Sequence, residues 1–189
     1  KELIKEQWLC PINPYMYSLN HTDIDICNYN LKHFKKHEGK FGFSYHNLCD
    51  SAFNLFFEHY KQYINGKTDI KPFFLVDKNH SISRVIELKY DYREISSYEN
   101  NPNSIGYVVN KYVMGYDFKC INYEIFSDPK MSTSDIIQCI GRGLRPDGLG
   151  NNGRNLNKKL SIMLPVFIEE NDTNAEFNRI VNVLRYLVY

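Results

Sequence analysis

Two hydrophobic periods alternate along this chain. KFGFSY, KPFFLV, SIGYVV, INYEIF and LSIMLPVFI are compact apolar runs suited to buried strands. Between them lie segments with a helical repeat. SAFNLFFEHYKQYI returns its apolar side through Ala52, Phe56, Tyr60 and Tyr63, with Gly66 just beyond. A helix around IIQCIG is predicted to start after MSTSD, where Ser132, Thr133 or Ser134 can cap the first amides and Asp135 suits the positive helix end. The closing AEFNRIVNVLRYL repeats at Phe177, Ile180, Val181, Leu184 and Leu187, an amphipathic helix. Strands spaced by helices in this way predict an α/β fold: a mostly parallel central sheet with helices on both faces.

Other segments carry weaker patterns. Residues 1–30, with Pro11 and Pro14 and poor periodicity, read as an irregular arm or inter-domain connector, which leaves 31–189 as the domain. RVIELKYDYREISSYENN reads as a link into a short helix, and GLRPDGLGNNGRNLNKK, rich in Gly and Asn, as a loop. Pro165 points to an edge position or an irregularity near the end of its strand.

Composition narrows the function classes. At 189 residues, 43% hydrophobic and 24% charged, the chain fits one soluble domain, and no apolar run approaches the ~20 residues needed to cross a bilayer. KELIKEQWLCPINP lacks the uninterrupted apolar stretch of a signal peptide. Cys10, Cys27, Cys49, Cys120 and Cys139 form neither a CxxC nor a Cys/His metal spacing; as reduced thiols they fit the cytoplasm or nucleus. A net charge of +1 excludes a strongly basic coat but leaves room for a local phosphate-binding groove. Abundant Asn, Lys, Ile and Tyr, with Ala only at Ala52 and Ala175, match AT-biased coding.

Candidate chemistry concentrates in QCIGRGLRPDG, residues 138–148. On a helix, Gln138, Gly141, Arg142 and Arg145 share one face, with Ile137 and Ile140 as core candidates on the others. Gly141 withholds a side chain where another surface can approach, and the two guanidiniums offer forks of donors suited to phosphate oxygens. Upstream, VVNKYVMGYDF places Asn110 at a strand end and brings in Gly115 and Asp117 before the next strand. Loops at strand ends share a rim of the sheet; there Asp117 can accept hydrogen bonds from a nucleotide sugar or orient a neighbouring arginine.

These stretches resemble the second, C-terminal RecA-like lobe of superfamily 2 DEAD/H-like helicases, particularly the restriction-enzyme and giant DNA virus branches. VVNKYVMGYDF is similar to their fifth motif, QCIGRGLRP to the sixth, and KFGFSYHNLCDSAFNLF to the fourth; the resemblance spans roughly residues 40 to 168. It implies that Arg145 is an arginine finger, that Arg142 meets the terminal phosphate and that Gln138 couples to the other lobe. Gly115 and Asp117, with Gly141 nearby, then face the nucleotide, while Asn110 and Ser44, the latter just past a strand, contact the nucleic-acid backbone. Met114 departs from the charged residue common before that glycine. The implied partners are DNA or RNA and an N-terminal RecA-like lobe of the same polypeptide, with ATP and Mg2+ bound in the full-length protein. No GxxxxGK[ST] loop or DExx run occurs in the sequence, so the resemblance assigns Mg2+ and most triphosphate contacts to that N-terminal lobe and leaves this segment inactive in ATP hydrolysis alone. If the source is viral, host cytoplasm or virion joins the compartments above.

Several features keep two readings. The Lys32–Lys40 stretch and Arg154, Lys158 and Lys159 can touch phosphate or form solvated surface. His33 and His37 have helical spacing without a third metal ligand, and the aromatics from Phe53 to Tyr63 suit core packing better than base stacking. For the whole chain, a catalytically degenerate lobe serving as a nucleic-acid-binding or protein-docking module is the alternative to a motor lobe, and another nucleotide-binding α/β domain is a third.

Overall fold

The computed structural model describes residues 6, 9–19, 22–76, 90–109, 116–129, 132–146, 157–167 and 171–188. Its centre is a six-stranded sheet of β1 (Ile12–Leu19), β2 (Phe41–His46), β3 (Lys71–Leu75), β4 (Ser104–Val109), β5 (Tyr123–Phe126) and β6 (Leu160–Phe167). The spatial order is β1-β6-β5-β2-β4-β3, and every pairing is parallel. All six residues of β2, β4 and the four of β5 are buried, as expected of strands covered on both faces. Four of the compact apolar runs are therefore interior strands, and KPFFLV, as β3, is the edge strand opposite β1.

Among the described residues five α-helices flank the sheet: α1 (Asp23–Lys36), α2 (Cys49–Ile64), α3 (Ile95–Glu99), α4 (Thr133–Gly143) and α5 (Asn171–Val188), with a 3₁₀ turn at Tyr90–Tyr92. Strand alternation divides their contacts. From one face of β2, Phe43 stacks on Tyr98 of α3 with centroids 5.3 Å apart, and the Tyr45 hydroxyl lies 3.4 Å from the Cys139 carbonyl of α4. On the other face, Phe34 of α1 meets Tyr123 edge-on at 5.1 Å, and Phe56 and His59 of α2 pack against Tyr107. His59 is neutral there: its Nδ1 lies 3.0 Å from the Tyr107 hydroxyl and its Nε2 2.9 Å from the Ile70 carbonyl, and burial pushes its pKa down to about 3. No helix among the described residues is long and apolar enough to cross a membrane.

Two details differ from the sequence pattern. Residues 12–19, inside the stretch that reads as an irregular arm, form an edge strand in register with all of β6, from Ile12 beside Leu160 to Leu19 beside Phe167. Only Ile12 and Tyr17 of this strand's described side chains are buried, so no period-2 signal survives Pro11 and Pro14. β6 in turn is an interior strand, although it contains Pro165. Its pairing with β5 ends at Met163, and beyond that point β1 alone borders it among the described residues, so the proline falls where one side of the ladder has already stopped.

Candidate functional site

α4 starts as its sequence dictates: the Ser132 hydroxyl caps the Asp135 amide at 3.4 Å, and Asp135 sits in the positive first turn. The helix buries Ile136, Cys139, Ile140 and Gly143, whereas Ile137 is 51% exposed. The pattern places Ile137 in the core; the helix turns it roughly 100° away from Ile136 and onto the outer face beside exposed Gln138.

The two glycines around Arg142 have different causes. A Cβ on Gly143 would lie 2.8 Å from Leu160 Cδ2 and 2.9 Å from Glu124 Oε1, so close packing onto the sheet requires glycine. A Cβ on Gly141 would meet nothing within 4 Å among the described residues. That position carries the helix penalty of glycine with no compensating contact among the described residues.

Beyond the helix, Arg145 forms an ion pair with Asp117; both side chains are about half exposed, at 50% and 56%. Arg142 is turned inward, 8% exposed, with Nη1 donating to the Tyr116 carbonyl and its guanidinium carbon 6.0 Å from the Tyr116 ring centre. Lys158 ties the same two segments: its buried ammonium donates to the Lys119 carbonyl at 2.5 Å and to the Arg145 carbonyl at 2.6 Å. Three cationic side chains thus fasten the segment before β5 to the turn after α4. The cluster lies at the amino ends of β5 and β6, because α4 runs back along the sheet from the carboxyl end of β5.

Under this rim sits Glu124, fully buried in β5. Its Oε1 accepts from the Gly143 amide at 3.2 Å and lies 3.4 Å from the Tyr45 hydroxyl, while Oε2 has no hydrogen-bond partner among the described residues. Burial pushes its pKa up to about 8, against the smaller opposing effects of the Gly143 hydrogen bond, Lys158, Tyr45 and Arg142. Cys10 completes the underside: its thiol donates to the Gly143 carbonyl at 3.2 Å, its amide donates to the Leu144 carbonyl at 2.8 Å, and burial raises the thiol to about 11.

The structure thus brings Arg142, Arg145 and Asp117 together and leaves Gln138 and Gly141 on the outer side of the same helix. Gly115 and Asn110 lie outside the described residues, as does Arg154. Ser44 is not past a strand. It is inside β2 and fully buried, its hydroxyl 2.9 Å from His46 Nε2 and 2.8 Å from the Ser127 hydroxyl, because alternation turns it beneath the start of α2. His46 continues to the Ser51 hydroxyl at 3.0 Å, and Asp128 holds the Asn47 amide at 2.7 Å and the Ser51 hydroxyl at 3.1 Å. Ser44 therefore supports a loop at the carboxyl rim and offers no hydroxyl to a strand. His33 and His37 approach to 3.4 Å, and no group of three metal-ligating side chains exists among the described residues.

Tyr116, Glu124 and Cys10 escape the sequence pattern as site residues, and Lys158 enters it only as a lysine that can touch phosphate or solvent. Glu124 had a signal, an isolated acid in the middle of INYEIF, an otherwise apolar strand. Lys158 looks like any loop lysine until the topology places two carbonyls around it.

No family model and no curated protein sequence matches the chain. Solved structures do. The ATP-dependent Type ISP restriction-modification enzyme LlaBIII bound to DNA superposes with a TM-score of 0.64 at 14% identity over 97% of this chain. T. fusca Cas3 with ATP gives 0.59, and with ADP 0.56, each at 12% identity over 94% of the chain. The chain spans 14% of the first protein's length and 21% of the second's. At these identities the likeness is one of fold, a RecA-like α/β arrangement of a parallel sheet flanked by helices.

Proposed function

We propose that this chain is the second motor lobe of an ATP-dependent nucleic-acid helicase or translocase, supplying an arginine finger through Arg145. The observation that carries the reading is the pairing of Arg145 with Asp117 on a rim where Arg142 and Lys158 hold the backbone in place. A finger must be exposed enough to reach across a cleft, placed on a rigid support, and kept from wandering before the ligand arrives. Arg145 meets these conditions: half exposed, two residues beyond a capped helix, and held by a carboxylate that competes with phosphate. Arg142 is built differently. With one amino group committed to the Tyr116 carbonyl, it acts here as the clamp that sets the position of Asp117, and a direct phosphate contact requires it to release that carbonyl.

In this reading the partner lobe presents ATP, and closure exchanges the Asp117 carboxylate for terminal phosphate oxygens as the acceptor of the Arg145 fork. Charge developing on those oxygens strengthens the new contact, an effect worth ~10³–10⁵ in rate for trans-acting arginines of other NTPases. Gly141 and Gln138, on the outer face of the same helix, border the approaching lobe. Mg2+, as the resemblance implies, is assigned to the partner lobe. Asn110, which lies outside the described residues, is assigned to the grip on DNA or RNA.

Arg145→Ala in the full-length protein tests the proposal. Turnover stimulated by nucleic acid should fall far more than nucleotide affinity, since the contact belongs to the transition state. Arg145→Lys should recover little, because an ammonium does not reproduce the planar fork. Normal stimulated turnover in Arg145→Ala would remove the finger and favour a lobe that binds or docks without catalysing.

A further inference from the structure

Two basic stretches 118 residues or more apart in sequence, Lys36 to Lys40 and Lys158 with Lys159, meet in one cleft of about 440 Å³. It opens at the amino rim of the sheet, where α1 ends and β2, β5 and β6 begin. We propose that this cleft is a binding site for a phosphate group, carried either by a free pyrophosphate-like anion or by a nucleic-acid backbone, and separate from the Arg145 finger.

The lining makes the case. Four lysines face the cleft against one carboxylate, Glu38, and the rest of the wall is mainly amide and hydroxyl, including Asn13, Asn122 and Ser161. Elsewhere on the surface Lys35, Lys61 and Lys71 each pair with a carboxylate, to Asp69, Glu58 and Asp91. Lys36, Lys40 and Lys159 have no such pair among the described residues. Like charges gathered without counter-charges repel, and an anion relieves that repulsion.

The floor is rigid. Asn122 Oδ1 accepts from the amides of Lys40 at 2.8 Å and Phe41 at 3.2 Å, while its Nδ2 donates to the Glu38 carbonyl at 3.0 Å. Glu38 itself adopts a positive φ of 54°, held in this tight turn. Lys158 forms the wall shared with the arginine cluster, its ammonium anchored on the Lys119 and Arg145 carbonyls so that its charge is fixed in place. A ligand here would sit beside the backbone that carries Arg145. Of the polar groups with phosphate affinity, lysines act as point charges with no demand for a planar acceptor, which suits a tetrahedral phosphate better than a bidentate carboxylate. The inference does not depend on the motor-lobe reading, since it concerns different side chains and needs no second lobe.

The 189-residue chain is titrated separately with sodium pyrophosphate, with a short oligothymidylate and with polyglutamate, by calorimetry and by amide chemical shifts. Lys40→Glu/Lys159→Glu is the test variant and Lys67→Glu, exposed and outside the cleft, the control. Lys158 is left intact because its amine holds two carbonyls. Pyrophosphate or oligothymidylate should bind with shifts at Asn122 and Ser161, and the double variant should weaken that binding by about tenfold or more, the loss expected for a charged hydrogen-bonding contact. Binding of pyrophosphate alone identifies a free anion as the source, and binding of the oligothymidylate alone a strand backbone. The proposal is overturned if neither binds, if the double variant binds as well as the control, or if polyglutamate binds more tightly than both phosphate probes. Circular dichroism of each variant establishes that the fold is retained.

Discussion

Glu124 lies directly beneath Gly143, which donates its amide to Oε1 at 3.2 Å, and a Cβ on Gly143 would press against that same oxygen at 2.9 Å. The arginine-bearing turn is therefore seated on a buried carboxyl group, and the protonation of that group enters the stability of the turn.

The sign follows from the direction of the shift. Glu124 is raised from 4.5 to about 8, so the folded state keeps a proton that the unfolded state gives up. Its contribution is fully present below about 4.5 and is lost as pH rises through about 8. His59 acts in the opposite direction: lowered from 6.5 to about 3, it contributes stability above about 6.5 that is lost as pH falls toward 3. The two slopes oppose each other at intermediate pH. Chemical denaturation should thus show stability falling between pH 6.5 and 8 with a slope approaching ~1.4 kcal/mol per pH unit from Glu124. Glu124→Gln should flatten that limb, as the amide oxygen can still accept from Gly143. An unchanged limb would show that Glu124 is ionised in the folded protein.

Gly141→Ala and Gly143→Ala should move in opposite directions. Ala at 141 meets open space and improves helix propensity, for a gain of up to ~1 kcal/mol. Ala at 143 must displace Leu160 and the Glu124 carboxyl, for a loss of ~1–3 kcal/mol. Thermal melts of the isolated chain measure both. In the full-length protein, Gly141→Ala should nevertheless lower turnover, if the open space is where the partner lobe approaches.

Most of the sheet and the start of α4 are legible in the sequence. Strands β2, β3, β4 and β6 follow from apolar runs because a doubly covered sheet demands them, and the Ser132 cap follows from MSTSD. Hidden features depend on tertiary context. β1 looks irregular because an edge strand with Pro11 and Pro14 at its start buries few of its side chains. Ser44 looks like a strand-end hydroxyl because a shift of two residues in a strand boundary decides whether it faces water or His46. Arg142 and Arg145 look equivalent in GRxxR, yet one is clamped inward and the other half exposed, a difference set by the Tyr116 carbonyl.

The Arg145–Asp117 pair separates a positioning role from a stabilising one. Exposed ion pairs contribute ~0–1 kcal/mol, so with both side chains half exposed Asp117→Asn should shift the unfolding midpoint of the isolated chain very little. If Arg145 is the proposed finger, turnover of the full-length protein should respond more, because an Arg145 without its carboxylate samples many rotamers before it reaches phosphate. A double-mutant cycle sharpens the distinction. If Asp117 works only by positioning Arg145, Asp117→Asn added to Arg145→Ala should cost nothing further in stimulated turnover, and the two single effects should be strongly non-additive. If Asp117 also holds a nucleotide sugar, the double variant should bind nucleotide more weakly than Arg145→Ala alone. Equal and fully additive losses in turnover would mean that the observed pair has no part in the reaction.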